Sequence, residues 1–317
     1  MQWNLDLSEM NTFNCYDSLI TVLLKRFGFE HQLMDIDAFS SSHFGFNEKK
    51  EGYIARRIHC NDILKDLYQT TIDSIDIHVI HDMHLIISKE LMSCPVGLTA
   101  DPYDCHWSPL FKKVHFSHLL LIADIDYVNK CYVCVDIYYQ TMGEIKIFFN
   151  EIEKLCEQVL IFHFPEKISD IHYRAWNYLM KVNHIPDEET HEIEKNSMID
   201  YLLSLTPDCV GMPNDLNTSL LLMNFMWIAE DKKNFMMGLK YLECRIGGPL
   251  FETVYVLIEK VVYSVLLLKS LFMKYVITRN LKEEKVKTIV TDIYRLNREI
   301  AIEMNNVLFQ KNNFIDN

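Results

Sequence analysis

Two apolar runs, residues 119–122 (LLLI) and 132–135 (YVCV), flank a polar stretch at 126–130, and this pattern constrains the fold more than any other in the chain. Short apolar runs bounded by turn formers pair as antiparallel strands. After Thr141-Met142-Gly143 a third strand is expected over 144–149, and residues 95–100 (PVGLTA) read as a short strand ending at Asp101. Upstream, apolar residues at Leu19, Ile20, Val22, Leu23, Leu24 and Phe27 have the spacing of a helix with one broad buried face. Asn11, Thr12 and Asn14 are candidate N-caps for it, and Gly28 is a natural stop. A helix followed by an antiparallel sheet predicts an α+β domain over residues 1–150. Within it, residues 39–50 read as a loop and 61–69 as a helix. Helical patterns over 216–228, 234–244, 252–279 and 283–308 predict an all-helical domain over 151–317.

The bulk properties narrow the setting. Of 317 residues, 49% are hydrophobic and 24% charged, a globular composition. Lys and Arg number 31 against 44 Asp and Glu, a net charge of −13 that argues against nucleic acid or an anionic membrane surface as partner. The opening MQWNLDLSEMN has neither a basic nor an apolar signal region, so no secretion signal is expected. The apolar stretch 261–268, bracketed by Lys260 and Lys269, is too short to span a bilayer and reads as a core helix. Nine cysteines without framework spacing point to free thiols in a reducing cytoplasm.

Against this background Cys15 stands out, because it falls in the first turn of a helix that is otherwise buried. A helix N-terminus favours thiolate and supplies N–H groups for a developing oxyanion. A thiol nucleophile also needs a base, and a group to orient that base. If the two apolar runs form a hairpin centred on Tyr127, residues whose numbers sum to 254 lie opposite one another, and His118 with Asp136 is such a pair. Directly opposed side chains lie close enough for a carboxylate to orient an imidazole. Read one by one, Cys15 is a small buried residue, His118 a strand-end histidine and Asp136 a solvated carboxylate; the joint pattern points to chemistry.

Other signals carry less. Cys131 and Cys134, three apart on a strand, point to opposite faces and make a poor metal pair. His78, His81 and His84 match neither strand alternation nor a helical i,i+4 pair, so no metal site is expected. His106 and His115 flank the position of His118 and are candidates to line an acceptor pocket.

The ordered set resembles the N-terminal domain of the butirosin biosynthesis protein H family, papain-like cysteine acyltransferases of natural-product clusters. It comprises Asn14-Cys15-Tyr16-Asp17-Ser18, then Pro95-Val96 with Asp101, the loop Tyr103-Asp104-Cys105-His106-Trp107, and finally His118 leading through a hairpin to Asp136. The resemblance covers roughly residues 10–140 and only weakly the C-terminal helices. It implies a papain-like domain in which Cys15 takes an acyl group from the phosphopantetheine thioester of an acyl or peptidyl carrier protein and passes it to a small amine. His118 would be the base and Asp136 its orienting group, with Trp107 in the pocket wall and no bound cofactor. The helical domain would cover the acyl and acceptor pocket. Many papain-like enzymes carry Gln six residues before the Cys, where this chain has Glu9, so Asn11, Asn14 or a backbone N–H would complete the oxyanion hole. The same triad also suits a thioesterase or peptidase, and a non-catalytic module binding a carrier protein or peptide is the reading from a different class.

Overall fold

The computed structural model describes residues 3, 5, 15–37, 44–47, 52–55, 60–79, 82–108, 111–113, 115, 117–136, 145–211 and 219–315. Glu9, Asn11, Thr12, Asn14 and His81 lie outside them. The chain forms two compact units, one of residues Met1–His31 and Leu64–Ser169, the other of Gln32–Ile63 and Asp170–Asn317. The division therefore follows Ser169 rather than residue 150, and the segment 32–63 belongs with the helical unit.

The helix α1, Cys15–Arg26, opens the first unit, with Cys15 in its first turn. Its ends suit the helix dipole, with Asp17 in the first turn and Lys25 and Arg26 in the last. Gly28, at φ +78°, ends it. The Phe29 N–H donates to the Leu24 carbonyl (2.9 Å) and the Gly28 N–H to that of Lys25 (3.1 Å), satisfying the last carbonyls in a Schellman turn.

Further along the chain come β1 (Phe44–Asn47), β2 (Gly52–Ala55), α2 (Cys60–Asp66), β3 (Thr71–Asp76), α3 (Met83–Glu90), β4 (Val96–Ala100), β5 (His118–Asp126), β6 (Cys131–Val135), β7 (Ile145–Phe148), α4 (Ile152–Leu155) and β8 (Cys156–His163). Six of the strands form an antiparallel sheet in the order β3-β8-β4-β5-β6-β7. It has more strands than the sequence pattern predicts, because β8 inserts between β3 and β4. That insertion carries the sheet unit past residue 150. The central strand β4 is buried along its whole length. On one face Val96, Leu98 and Ala100 pack with Leu120, Ile122, Tyr132 and Cys134 of the neighbouring strands and with Met83 and Ile87 of α3.

On the other face Gly97 lies opposite Leu160 of β8. A Cβ at Gly97 would stand 2.9 Å from the Leu160 Cβ and 3.1 Å from the Phe162 ring. We therefore expect Gly97→Ala to destabilise the fold by about 1–3 kcal/mol, the usual cost of overpacking a close contact. Urea unfolding measures this, and an unchanged midpoint would show that the strands give way freely.

The second unit contains the β1–β2 hairpin, where a loop is expected over 39–50. It also contains α5 (Ile171–Val182), α6 (Glu188–Ser204), α7 (Pro207–Val210), α8 (Leu220–Ile246), α9 (Glu252–Thr278) and α10 (Glu283–Ile315). Helix α8 runs unbroken for 27 residues where the pattern predicts two helices. The polar run 230–234 that suggests a break is helical and partly interior, since Lys232 is only 1% exposed. Gly238 lets α8 approach the backbone of Asp35 and Ile36, which ties the segment 32–37 to this unit. Glu243 joins α8 to α9 by accepting from the Phe251 N–H (2.7 Å), the Tyr255 hydroxyl (2.6 Å) and the Leu250 N–H. The apolar stretch 261–268 is interior to α9, with Val261, Val265 and Leu268 buried. Among the described residues no helix is long and apolar enough to cross a membrane.

Candidate active site

His118 opens β5 and Asp136 follows β6, so two adjacent strands deliver the pair. Their side chains are fully buried, and the His118 imidazole meets the Asp136 Oδ2 through Nε2 at 2.9 Å. The predicted register is corrected here. Leu121 lies opposite Val135 and Ile122 opposite Cys134, so paired numbers sum to 256 and not 254. Continuing one residue further sets Asp136 across from Leu120, and the contact with His118 is diagonal.

A bulge makes that diagonal possible. Beyond it Asp124 pairs with Val133 and Asp126 with Cys131, a sum of 257, and the register shifts between Ile122 and Asp124. If Ala123 took a place in the ladder and the sum of 257 continued, Asp136 would oppose Leu121, on the face away from His118. One inserted residue thus returns both side chains to the same face. The bulged Ala123 carbonyl accepts the Trp3 N–H at 3.1 Å.

Helix α1 packs against β5, and Cys15 at its first residue is 8% exposed. With Nε2 committed to Asp136, Nδ1 is the imidazole nitrogen left for the thiol. Burial works against the His118 imidazolium, but Cys15 and the Asp136 carboxylate, through charge and hydrogen bonds, outweigh it and push its pKa up to about 10. The arrangement therefore favours the imidazolium form of His118.

Trp107 has a role that the sequence pattern does not suggest. Its indole Nε1–H donates to the same Asp136 Oδ2 at 3.2 Å, in a fully buried contact. An indole N–H can only donate, so it fixes an acceptor atom at the position His118 also uses. Of the other expected pocket residues, His106 is exposed and meets Trp107 edge-on at 4.9 Å. His115 is held elsewhere: its Nδ1 lies 2.7 Å from the Asp101 Oδ2, and its ring stacks on Tyr103 at 3.9 Å.

Five other buried thiols are disfavoured as thiolates. Burial, reinforced by nearby carboxylates and thiols, pushes Cys94, Cys105 and Cys156 up to about 12. Burial also raises Cys134 well above the ordinary range and raises Cys131. Cys131 and Cys134 are both fully buried, and Cys134 belongs to the cluster packed with Met83 and Ile87 of α3. Among these six buried thiols we expect Cys15 to react first with iodoacetamide, as followed by peptide mapping. Cys209 and Cys244 are exposed and will label independently. Earlier modification of Cys105 or Cys131 would contradict the assignment of Cys15 as the reactive thiol.

His84 is tied to the Tyr132 hydroxyl through Nδ1, and the backbone N–H of His78 donates to Asp76. Among the described residues no group of three or more His, Cys, Asp or Glu is placed to hold a metal ion. Compared with known proteins, the chain matches no family and no curated sequence.

Proposed function

We propose that the protein is a papain-like cysteine acyltransferase that takes an acyl group from a carrier-protein phosphopantetheine thioester and passes it to an amine through acyl-Cys15. The observation that carries the reading is the buried His118, which interacts with both Cys15 and Asp136. The ordered resemblance to the butirosin biosynthesis protein H family supports the thioester donor. Cys15 would attack the thioester carbonyl while the N-terminal N–H groups of α1 stabilise the oxyanion. The pantetheine thiolate would leave with the proton held on His118. A thioester is already activated, so transfer needs no nucleotide, and the sequence contains no GxxxxGK[ST] loop. Carrier-protein docking would not gain from long-range steering if the carrier is acidic, because this chain is itself at −13. Lys112, beside the site in sequence, is already paired with Asp104 at 2.7 Å.

The test supplies butyryl-pantetheine with and without ethanolamine and follows both products by mass spectrometry. Formation of N-butyryl-ethanolamine that disappears in Cys15→Ala is the expected result. Release of butyrate at the same rate whatever the amine would make the protein a hydrolase. Absence of either product, with Cys15 closed to alkylation, would leave a binding module.

A further inference from the structure

Ala100 of β4 lies opposite His118, so the next residue, Asp101, stands at the end of the sheet that carries the catalytic pair. Asp101 holds a second imidazole there, His115, at 2.7 Å through Nδ1. In contrast to His118, the His115 side chain is 67% exposed, while Asp101 is 26% exposed. The His115 ring is also clamped face-on by Tyr103 (3.9 Å, 21° between planes). Lys112 in turn reaches over the Tyr103 ring at 4.5 Å and pairs with Asp104 at 2.7 Å. An exposed ion pair adds little stability, and this one spends a carboxylate and an aromatic face on orienting one imidazole. With Nδ1–H donated to Asp101, Nε2 is left as a basic nitrogen at the solvent side. This is the carboxylate–imidazole logic of the buried pair, repeated at the solvent-exposed end of the same sheet.

We infer that His115, oriented by Asp101, is the base that strips the proton from the ammonium form of the incoming amine. The role presupposes the acyltransferase reading and extends it to the acceptor step. An alkylammonium must lose two protons to become an amide, and one imidazole cannot take both. His115 Nε2 accepts the first, giving the free amine. The amine lone pair then forms the N–C bond at the acyl-Cys15 carbonyl, and the second proton passes to His118, which no longer faces a sulfur anion once Cys15 is acylated. Collapse breaks the C–S bond, returning the Cys15 thiolate beside the His118 imidazolium. His115 releases its proton to water.

The experiment separates the two protons by choice of amine. Ethanolamine is an ammonium ion at neutral pH and needs a base; methoxyamine is already neutral and does not. Butyryl-Cys15 is formed from butyryl-pantetheine, excess donor is removed, and discharge by each amine is followed by intact-protein mass. His115→Gln should slow discharge by ethanolamine about 10²-fold, the usual contribution of a positioned base, and leave discharge by methoxyamine at the wild-type rate. Asp101→Asn should show the same selectivity with a smaller loss. Equal losses with both amines would assign His115 a structural role, and no loss with either would remove it from the reaction; both results overturn the inference while leaving the acyl-enzyme intact. Failure of the wild type to form butyryl-Cys15 would overturn the acyltransferase reading and this role with it.

Discussion

Asp136→Ala is expected to slow acylation of Cys15 by about 10²- to 10⁴-fold, because the imidazole loses the group that fixes its tautomer and orientation. Asp136→Asn should be milder than Asp136→Ala, although the same change in a triad without such a constraint is damaging because it favours the wrong imidazole tautomer. The constraint is Trp107, whose indole N–H donates to the same Asp136 oxygen that His118 uses. An asparagine here is held with its carbonyl oxygen toward the indole, and that oxygen can still accept from His118 Nε2–H. Trp107→Phe in the Asn background removes the constraint and should bring the rate down to the Asp136→Ala level. Butyryl-pantetheine acylation rates measured by quenched-flow mass spectrometry decide this. If Asp136→Asn and Asp136→Ala lose equal amounts, the negative charge itself matters and not the orientation supplied by Trp107.

The second large effect is a pH dependence of stability. His118 is raised from 6.5 to about 10 in the fold, where burial opposes the shift and Cys15 and Asp136 overcome it. A raised folded-state pKa contributes its full stabilisation below pH 6.5, where both states are protonated, and loses it as pH rises towards about 10. The contribution is on the order of a few kcal/mol. Wild type minus His118→Gln is therefore expected to shrink steadily across that window in urea unfolding. In a Cys15→Ala background the slope should fall without vanishing, because Asp136 remains. A pH-independent difference would mean that His118 is neutral in the folded protein.

Several features were legible in the sequence for plain physical reasons. The helix α1 follows from an apolar stripe at helical spacing, and its end from Gly28, whose positive φ a glycine adopts freely. The β5–β6 hairpin follows from two apolar runs around a polar turn. That His118 and Asp136 share a face was inferred from the wrong register. The error was two residues, and because side chains alternate with period two, it left the face unchanged. The bulge at Ala123 has no Gly or Pro to signal it. Strand β8 was missed because its first residues, Cys156-Glu157-Gln158, continue a charged segment that reads as helix, and only pairing with β3 and β4 makes it a strand. Trp107 was picked out as an aromatic beside the site, but its bond to Asp136 spans 29 positions and depends on the folded loop. Asn11 and Asn14, proposed oxyanion donors, fall outside the described residues.

The central claim is that Cys15 is a nucleophile activated by His118. Incubating the protein with butyryl-pantetheine, quenching and mapping the adduct by peptide mass spectrometry tests it directly. The account predicts one butyryl group on the Cys15 peptide, with His118→Ala lowering its rate of formation by at least as much as Asp136→Ala. Butyrylation confined to the exposed Cys209 and Cys244, or modification of Cys15 at the same rate without His118, would contradict it.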